Sequence, residues 1–241
     1  MQTLYRAVKK EDFKKDAVYS TLLTRRLPGN LPYVIDNIWE YLRPDKFPDR
    51  RHSAFGNPSP EQALESALIG GGSAEEYVVC EIEFLSGRVK LAHIKAEDAS
   101  KHDDSRKLRK GIFQLIHGTS DKGFSNLSAS QKLPYASLFL PGLSKKEMGE
   151  ILHATPRMQA IKRFVESKST FWEQDIADSP QPHNGELFFE MLDEGQYRLK
   201  EIKHPFVFTP RKKALAVALI QSVVTAGALY FLRGNRHPNR R

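Results

Sequence analysis

The stretch "KFPDRRHSAFGNPSPEQALESAL", residues 46–68, decides the fold, because it joins a polar strand, a rigid turn and a helix without a break. Ser59 stands at the position of a helix N-cap, and Pro60 suits the first helical position, so the pattern predicts a helix over 59–70. Phe55 and the prolines stiffen the residues before that helix. We therefore expect the polar side chains that precede the helix to line a cleft for an anionic ligand.

Strand and helix patterns continue on both sides of this stretch. Further strands are predicted at 3–8, 76–84, 88–94, 186–192 and 197–208, and helices at 33–44 and 144–176. Ser86–Gly87, between two of the strands, is typical of a hairpin turn, and Ser144 with Glu147 three residues later is a capping box. These patterns predict one α+β domain over 1–210, in which 97–178 is an insertion of helices and loops.

The composition is that of a globular protein with a basic surface. Hydrophobic residues make up 40% of the 241 residues, which supports a sizeable core, although the segment 97–135 is polar apart from an apolar patch at 112–116. The net charge of +8 favours an anionic partner, either nucleic acid, a phosphate-rich cofactor or an anionic membrane. Nucleic acid is indicated by charge alone, because the basic run 105–110 has no interleaved aromatic residues.

Several site classes are excluded by the residues present. The single cysteine, Cys80, excludes an internal disulfide and a cysteine zinc site, and its apolar surroundings predict a buried core residue rather than a reactive thiol. The chain has no zinc-ligand spacing, Walker loop, dinucleotide glycine fingerprint or nucleophile elbow. The first residues lack an apolar region after a basic one, so no cleaved signal peptide is expected.

The C-terminal region 211–241 differs from the rest of the chain. Residues 214–232 carry no charge over 19 positions and have basic residues on both sides. As a helix they would extend about 28 Å, close to the hydrocarbon thickness of a bilayer. The segment therefore predicts a hydrophobic C-terminal helix in a membrane, with a buried helix of the fold as the alternative. We expect a membrane-associated protein or one delivered to a host cell.

Three polar residues at strand starts and ends suggest a shared chemistry. Arg6, in the first strand, can pair with a phosphate through two parallel hydrogen bonds. Ser53 can hold a carboxylate or a ribose hydroxyl, and Glu186 can stabilise positive charge while a glycosidic bond breaks. Together they suit a dinucleotide whose nicotinamide bond is cleaved. Arg50, Arg51 and His52 are further candidates for phosphate binding, with a solvated basic loop as the alternative.

The order of these residues resembles the bacterial and phage ADP-ribosyltransferases of the arginine–serine–glutamate class. The likeness covers residues 3–95 and 180–208 and rests on "LYRAV", "RRHSAFGNPSPEQAL", "YVVCEIEF", "NGELFFEML" and "YRLKEI". It implies a split β-sheet core and NAD as the cofactor. By this likeness Arg6 holds the NAD phosphates or ribose, Ser53 shapes the NAD pocket, and Glu186 is the catalytic glutamate. Phe55 packs near the nicotinamide.

The chain departs from the family pattern at two positions. Phe55 stands where the family has a second serine or threonine, and Asn184 stands where it has a glutamate or glutamine that helps choose the acceptor. Glu190 is a rival to Glu186, because it lies on the same face of the same predicted strand. We expect a mono-ADP-ribosyltransferase that acts on a protein or nucleic acid as a toxin, effector or virion protein. The alternative is an inactive module of the same fold, anchored to a membrane or a larger assembly.

Overall fold

The computed structural model describes residues 3–21, 26–27, 29, 31–69, 71–96, 98–117, 124–174, 176–182 and 185–202. Within these ranges the chain is α+β, as the sequence predicts, with two antiparallel sheets and six helices. None of the helices in these ranges is both long enough and apolar enough to cross a bilayer. The predicted hydrophobic helix at 214–232 and the end of the last predicted strand lie outside the described residues.

The strands follow one another as β1 (Leu4–Lys9), β2 (Val18–Tyr19), β3 (Ala54–Gly56), β4 (Tyr77–Ser86), β5 (Val89–Ile94), β6 (Ile176–Ala177), β7 (Leu187–Met191) and β8 (Gln196–Glu201). The first sheet has the order β1-β4-β8-β2, and the second has the order β3-β7-β5-β6. Among the residues that the structure describes, one isolated pair, Tyr5 and Asn57, bridges the two sheets. The apolar inner faces of both sheets form one cluster, which includes Leu4, Ile82 and Phe189.

The helices are α1 (Tyr33–Leu42), α2 (Pro60–Leu68), α3 (Asp103–His117), α4 (Ala129–Lys132), α5 (Lys145–His153) and α6 (Pro156–Lys168). The predicted cap of α2 is confirmed, since the Ser59 side chain accepts a hydrogen bond from the Gln62 backbone. The predicted capping box of Ser144 and Glu147 at α5 is confirmed as well. Local sequence therefore sets where these helices begin.

Helix α3 belongs to the main core, although the sequence predicted its region as a polar insertion. Leu108, Ile112 and Ile116 are at most 1% exposed and belong to the same buried cluster as Trp39 of α1. Their spacing of four residues places them on one face of the helix, while its lysines and arginines face solvent. The charged residues between them concealed this periodicity in the sequence.

Cys80 is fully buried, as predicted. Burial raises the pKa of its thiol to about 11. A thiol in this state is protonated near neutral pH and is therefore a poor nucleophile.

The predicted hairpin at Ser86–Gly87 is wrong, because β4 and β5 lie in different sheets. The chain turns a corner at Gly87, whose φ is +80°, and crosses from the first sheet to the second. The Leu192–Gly195 turn crosses in the opposite direction beside it, and the Leu192 N–H donates to the Arg88 carbonyl at 2.8 Å. Gly87 suits this corner because a Cβ there would lie 2.5 Å from the Leu192 oxygen.

A Gly87→Ala substitution tests this corner. We expect the free energy of unfolding to fall by at least about 2 kcal/mol, because the variant combines left-handed backbone with a clash against backbone atoms. Gly71→Ala is the matched control, since Gly71 has φ of +92° but a Cβ there meets nothing within 4 Å. Urea unfolding of both variants separates the two costs, and equal losses would show that the close packing contributes nothing.

Candidate functional site

A cavity of about 530 Å³ opens where β1, β3, α2 and the residues before β7 meet. This volume lies within the range of small-molecule sites. Five of the residues singled out in the sequence line it, namely Arg6, Arg50, Arg51, Phe55 and Glu186. Further polar wall residues are Arg26, Asp36, Asn57, Ser66 and Asp98, and apolar ones include Leu27 and Ile69.

The bridge between the sheets brings β1 and the residue before β7 to this cavity. Tyr5 and Asn57 exchange two backbone hydrogen bonds of 2.8 Å, which fixes β1 beside the end of β3. Gly56 pairs with Leu187, so the antiparallel register carries Glu186 to the position opposite Asn57. Asn57 therefore has Tyr5, the neighbour of Arg6, on one side and Glu186 on the other.

Glu186 is held rigidly at the start of β7. Its backbone N–H donates to the Ala96 carbonyl at 3.0 Å, and its carbonyl accepts from Ile94 at 2.9 Å. Its side chain is 12% exposed, with Oε2 accepting from the Ala99 N–H at 2.7 Å and Oε1 lying 3.3 Å from Arg50 Nη2. A carboxylate offers about four lone-pair sites, so both oxygens keep acceptor capacity for a ligand.

Arg51 touches the cavity wall, but its guanidinium is committed to protein groups. Nε donates to Asp36 Oδ2 and Nη2 to Asn37 Oδ1, both at 2.8 Å, and Nη1 donates to the Leu143 carbonyl. The side chain is 4% exposed. These contacts tie the residue to α1 and to the residue before the cap of α5. Its predicted role in phosphate binding stays a prediction.

Arg6 and Arg26 form the positive part of the cavity. Neither makes an ion pair with another residue that the structure describes, and Arg26 lies over the Phe55 ring at 5.4 Å. Burial, and after it the charge of Arg6, lower the pKa of Arg26. Burial raises the pKa of Tyr197, while the two arginines act in the opposite direction. Two like charges held together in a partly buried space favour an anionic ligand.

Ser53 and His52 lie outside the cavity wall. Ser53 is fully buried, and its Oγ donates to the Asp49 carbonyl at 2.5 Å. His52 is about one-third exposed, with Nε2 4.0 Å from Asp49 Oδ2. Their predicted contacts with a cofactor therefore remain predictions.

Glu190, the rival of Glu186, makes a hydrogen bond within the fold. Its Oε2 accepts a hydrogen bond from the Asp49 backbone at 2.9 Å, and it does not line the cavity. The neighbours His183 and Asn184 lie outside the described residues. Of these two glutamates, Glu186 is the one available to a ligand in the cavity.

Sequence reasoning missed Arg26 and Asp36. Arg26 is the second of two adjacent arginines before a proline–glycine turn, a pattern that is weak in a chain with 37 basic residues. Asp36 is an acidic residue within the most apolar part of α1, where it is 4% exposed. A charge on the buried side of a helix requires a partner, and this signal could have pointed to the adjacent arginines.

The described residues contain no group of histidine, cysteine, aspartate and glutamate side chains suited to a metal ion. What they offer in the cavity wall is the fixed carboxylate of Glu186 and four arginines, of which Arg6 and Arg26 make no ion pair with another described residue. This arrangement can bind a phosphorylated ligand and place negative charge beside it. No family model, no curated protein and no solved structure matches this chain.

Proposed function

We propose that this chain is an NAD-dependent mono-ADP-ribosyltransferase with the split β-sheet core of that family. The observation that supports it best is the meeting of Arg6, Phe55 and Glu186 at one cavity, although they come from three distant parts of the sequence. These are residues that the family likeness assigns to NAD. The cavity volume also suits a ligand of this class.

In this proposal the arginine pair binds the diphosphate of NAD. Arg6 and Arg26 can each donate two parallel hydrogen bonds to phosphate oxygens, and the ligand's negative charge relieves their mutual repulsion. The Arg26 guanidinium packs over the Phe55 ring, which limits the rotamers of Arg26 before the ligand binds. The nicotinamide ribose then lies toward Glu186.

Glu186 acts on the ribose. Its carboxylate accepts hydrogen bonds from the ribose hydroxyls and stabilises the oxocarbenium-like charge that develops on the sugar. The bond between C1′ and the nicotinamide nitrogen breaks, and its electron pair stays on the departing nicotinamide. The acceptor atom forms a new bond to C1′ and releases a proton to solvent.

The acceptor in this proposal is a protein or nucleic acid. Asn184, at the position that helps choose the acceptor in the family, leaves its identity open between those classes. The uncharged segment 214–232 would tether the enzyme to a membrane, as suits a toxin, effector or virion protein.

A binding module without catalysis is the second candidate. It is favoured by the state of Glu186, since both carboxylate oxygens already accept from protein donors. Such a module binds NAD and releases no nicotinamide. Measuring NAD binding and nicotinamide release on the same preparation therefore separates the two candidates.

An Arg26→Gln substitution tests how the cavity binds NAD. We expect about 10- to 100-fold weaker NAD affinity by calorimetry, because one charge-assisted contact with the diphosphate is lost. Arg88→Gln is the control, since Arg88 is 77% exposed in a pair with Asp193 and does not line the cavity. Equal affinity in both variants would exclude Arg26 from the site.

Thermal unfolding of the unaltered chain tests whether NAD binds at all. A ligand present at about 100 times its dissociation constant stabilises the folded state by about 2.7 kcal/mol. An upward shift of the unfolding temperature supports both candidates, and no shift at millimolar NAD rejects both.

A further inference from the structure

We propose that Arg50 is the positioning residue for Glu186 in the reaction, an inference that rests on the proposed function. Arg50 contributes two contacts to acidic groups from different parts of the fold. Its Nη2 lies 3.3 Å from Glu186 Oε1, and its Nη1 lies 3.7 Å from Asp36 Oδ1. The guanidinium thus connects the carboxylate at the start of β7 to helix α1.

The position of the Arg50 guanidinium is restricted on its faces as well as at its edges. It lies 5.8 Å from the Trp39 ring and 5.6 Å from the Phe188 ring, and its side chain is 12% exposed. Planar guanidinium groups pack well against aromatic faces. Side chains held in this way can fix a neighbouring carboxylate within the tolerance that catalysis requires.

The adjacent residues Arg50 and Arg51 have different roles. All three side-chain nitrogens of Arg51 donate to protein acceptors. Arg50 makes fewer hydrogen bonds to the protein, since its buried Nε has no hydrogen-bond partner among the described residues. Arg50 also lines the cavity beside Glu186. Arg51 therefore stabilises the fold, and Arg50 positions the Glu186 carboxylate.

Of the two residues Arg50 and Ser53, it is Arg50 that contacts the Glu186 carboxylate. Ser53 directs its hydroxyl to the Asp49 carbonyl, whereas Glu186 receives its side-chain contacts from Arg50 and Ala99. With Arg50 and the Ala99 N–H on its two oxygens, the Glu186 carboxylate cannot rotate freely. Its remaining lone pairs are presented to the ribose in one orientation, so Arg50 affects the chemical step more than the binding of NAD.

The test compares Arg50→Ala with the unaltered full-length chain in an assay of nicotinamide release. We expect kcat to fall about 100-fold while KM for NAD changes by less than about threefold, as for a misplaced catalytic group. Guanidinium ion at tens of millimolar, a probe of the vacated space, is expected to restore about 10-fold of the lost kcat. Sodium chloride at equal ionic strength controls for screening.

Arg43→Ala is the matched control variant. Arg43 is a comparably buried arginine that bonds Glu40 through two nitrogens, but it does not line the large cavity. Its loss is expected to lower stability without changing kcat by more than about threefold and without any response to guanidinium. If Arg50→Ala does not fold, Arg50→Lys keeps the positive charge and is expected to show an intermediate kcat.

Three outcomes overturn the assignment. The first is a folded Arg50 variant with the kcat of the unaltered chain. The second is a loss of kcat that guanidinium does not relieve and that Arg43→Ala shows equally. The third is an unaltered chain that releases no nicotinamide, which removes the proposed function and this inference together, whereas the first two remove the inference alone.

Discussion

In a Glu186→Gln variant we expect nicotinamide release to fall at least about 100-fold, because a neutral amide does not stabilise the positive charge that develops on the ribose. NAD binding should survive, since the phosphates contact the arginine pair at another part of the cavity. The measurement is kcat for NAD cleavage beside a calorimetric titration of the same protein. Glutamine can still accept from the Ala99 N–H, which keeps the local backbone in place.

Glu190→Gln is the control for this variant. Glu190 is on the same strand and accepts one backbone hydrogen bond from Asp49, but it lies outside the cavity. We expect its kcat to match that of the unaltered chain. Full turnover in Glu186→Gln would rule out the proposed mechanism, and a loss confined to Glu190→Gln would move the catalytic role to the rival glutamate.

An Asp36→Ala variant is expected to lose about 3–5 kcal/mol of unfolding free energy, because removing one member of a buried ion pair leaves the other charge uncompensated. Asp36 is 4% exposed and lies 2.8 Å from Arg51 Nε and 3.7 Å from Arg50 Nη1. Two buried guanidiniums would therefore lose their shared acceptor. Urea unfolding followed by circular dichroism gives the change.

Asp103→Ala is the control, because Asp103 pairs with Arg106 while both side chains are about 90% exposed. Exposed pairs contribute little, so the unfolding midpoint should hardly move. A small loss of unfolding free energy in Asp36→Ala would mean that Arg50 and Arg51 find other acceptors. The ion pairs of Asp36 would then contribute little to holding α1 in place.

Features that depend on neighbouring residues were predictable from the sequence. The helix after Ser59 and the capping box at Ser144 rest on short-range hydrogen bonds, which the residue types specify directly. The first strand was predicted at 3–8 and lies at Leu4–Lys9, with Arg6 within it. The likeness to a known family also selected three residues, Arg6, Phe55 and Glu186, that line one cavity.

Features that depend on distant partners were not predictable. Ser86–Gly87 has the residues of a hairpin turn, but β4 pairs with β1 and β8 while β5 pairs with β6 and β7. The roles of two consecutive arginines were equally hidden. Arg50 and Arg51 occupy one 3-10 turn and both contact Asp36, but Arg50 also contacts Glu186 while Arg51 donates to Asn37 and Leu143. Only the positions of α1 and β7 distinguish them.

The strand order also has a consequence for how the chain is made. β7 lies between β3 and β5, and β8 lies between β4 and β2, so the last two strands that the structure describes are inner strands of its two sheets. A nascent chain without residues 187–201 can complete neither sheet, because the pairings that close them span most of the sequence. The wall of the cavity that contains Glu186 is synthesised late as well. Unfinished chains on the ribosome therefore lack the candidate site, which is complete only after residues 186–201 have been translated.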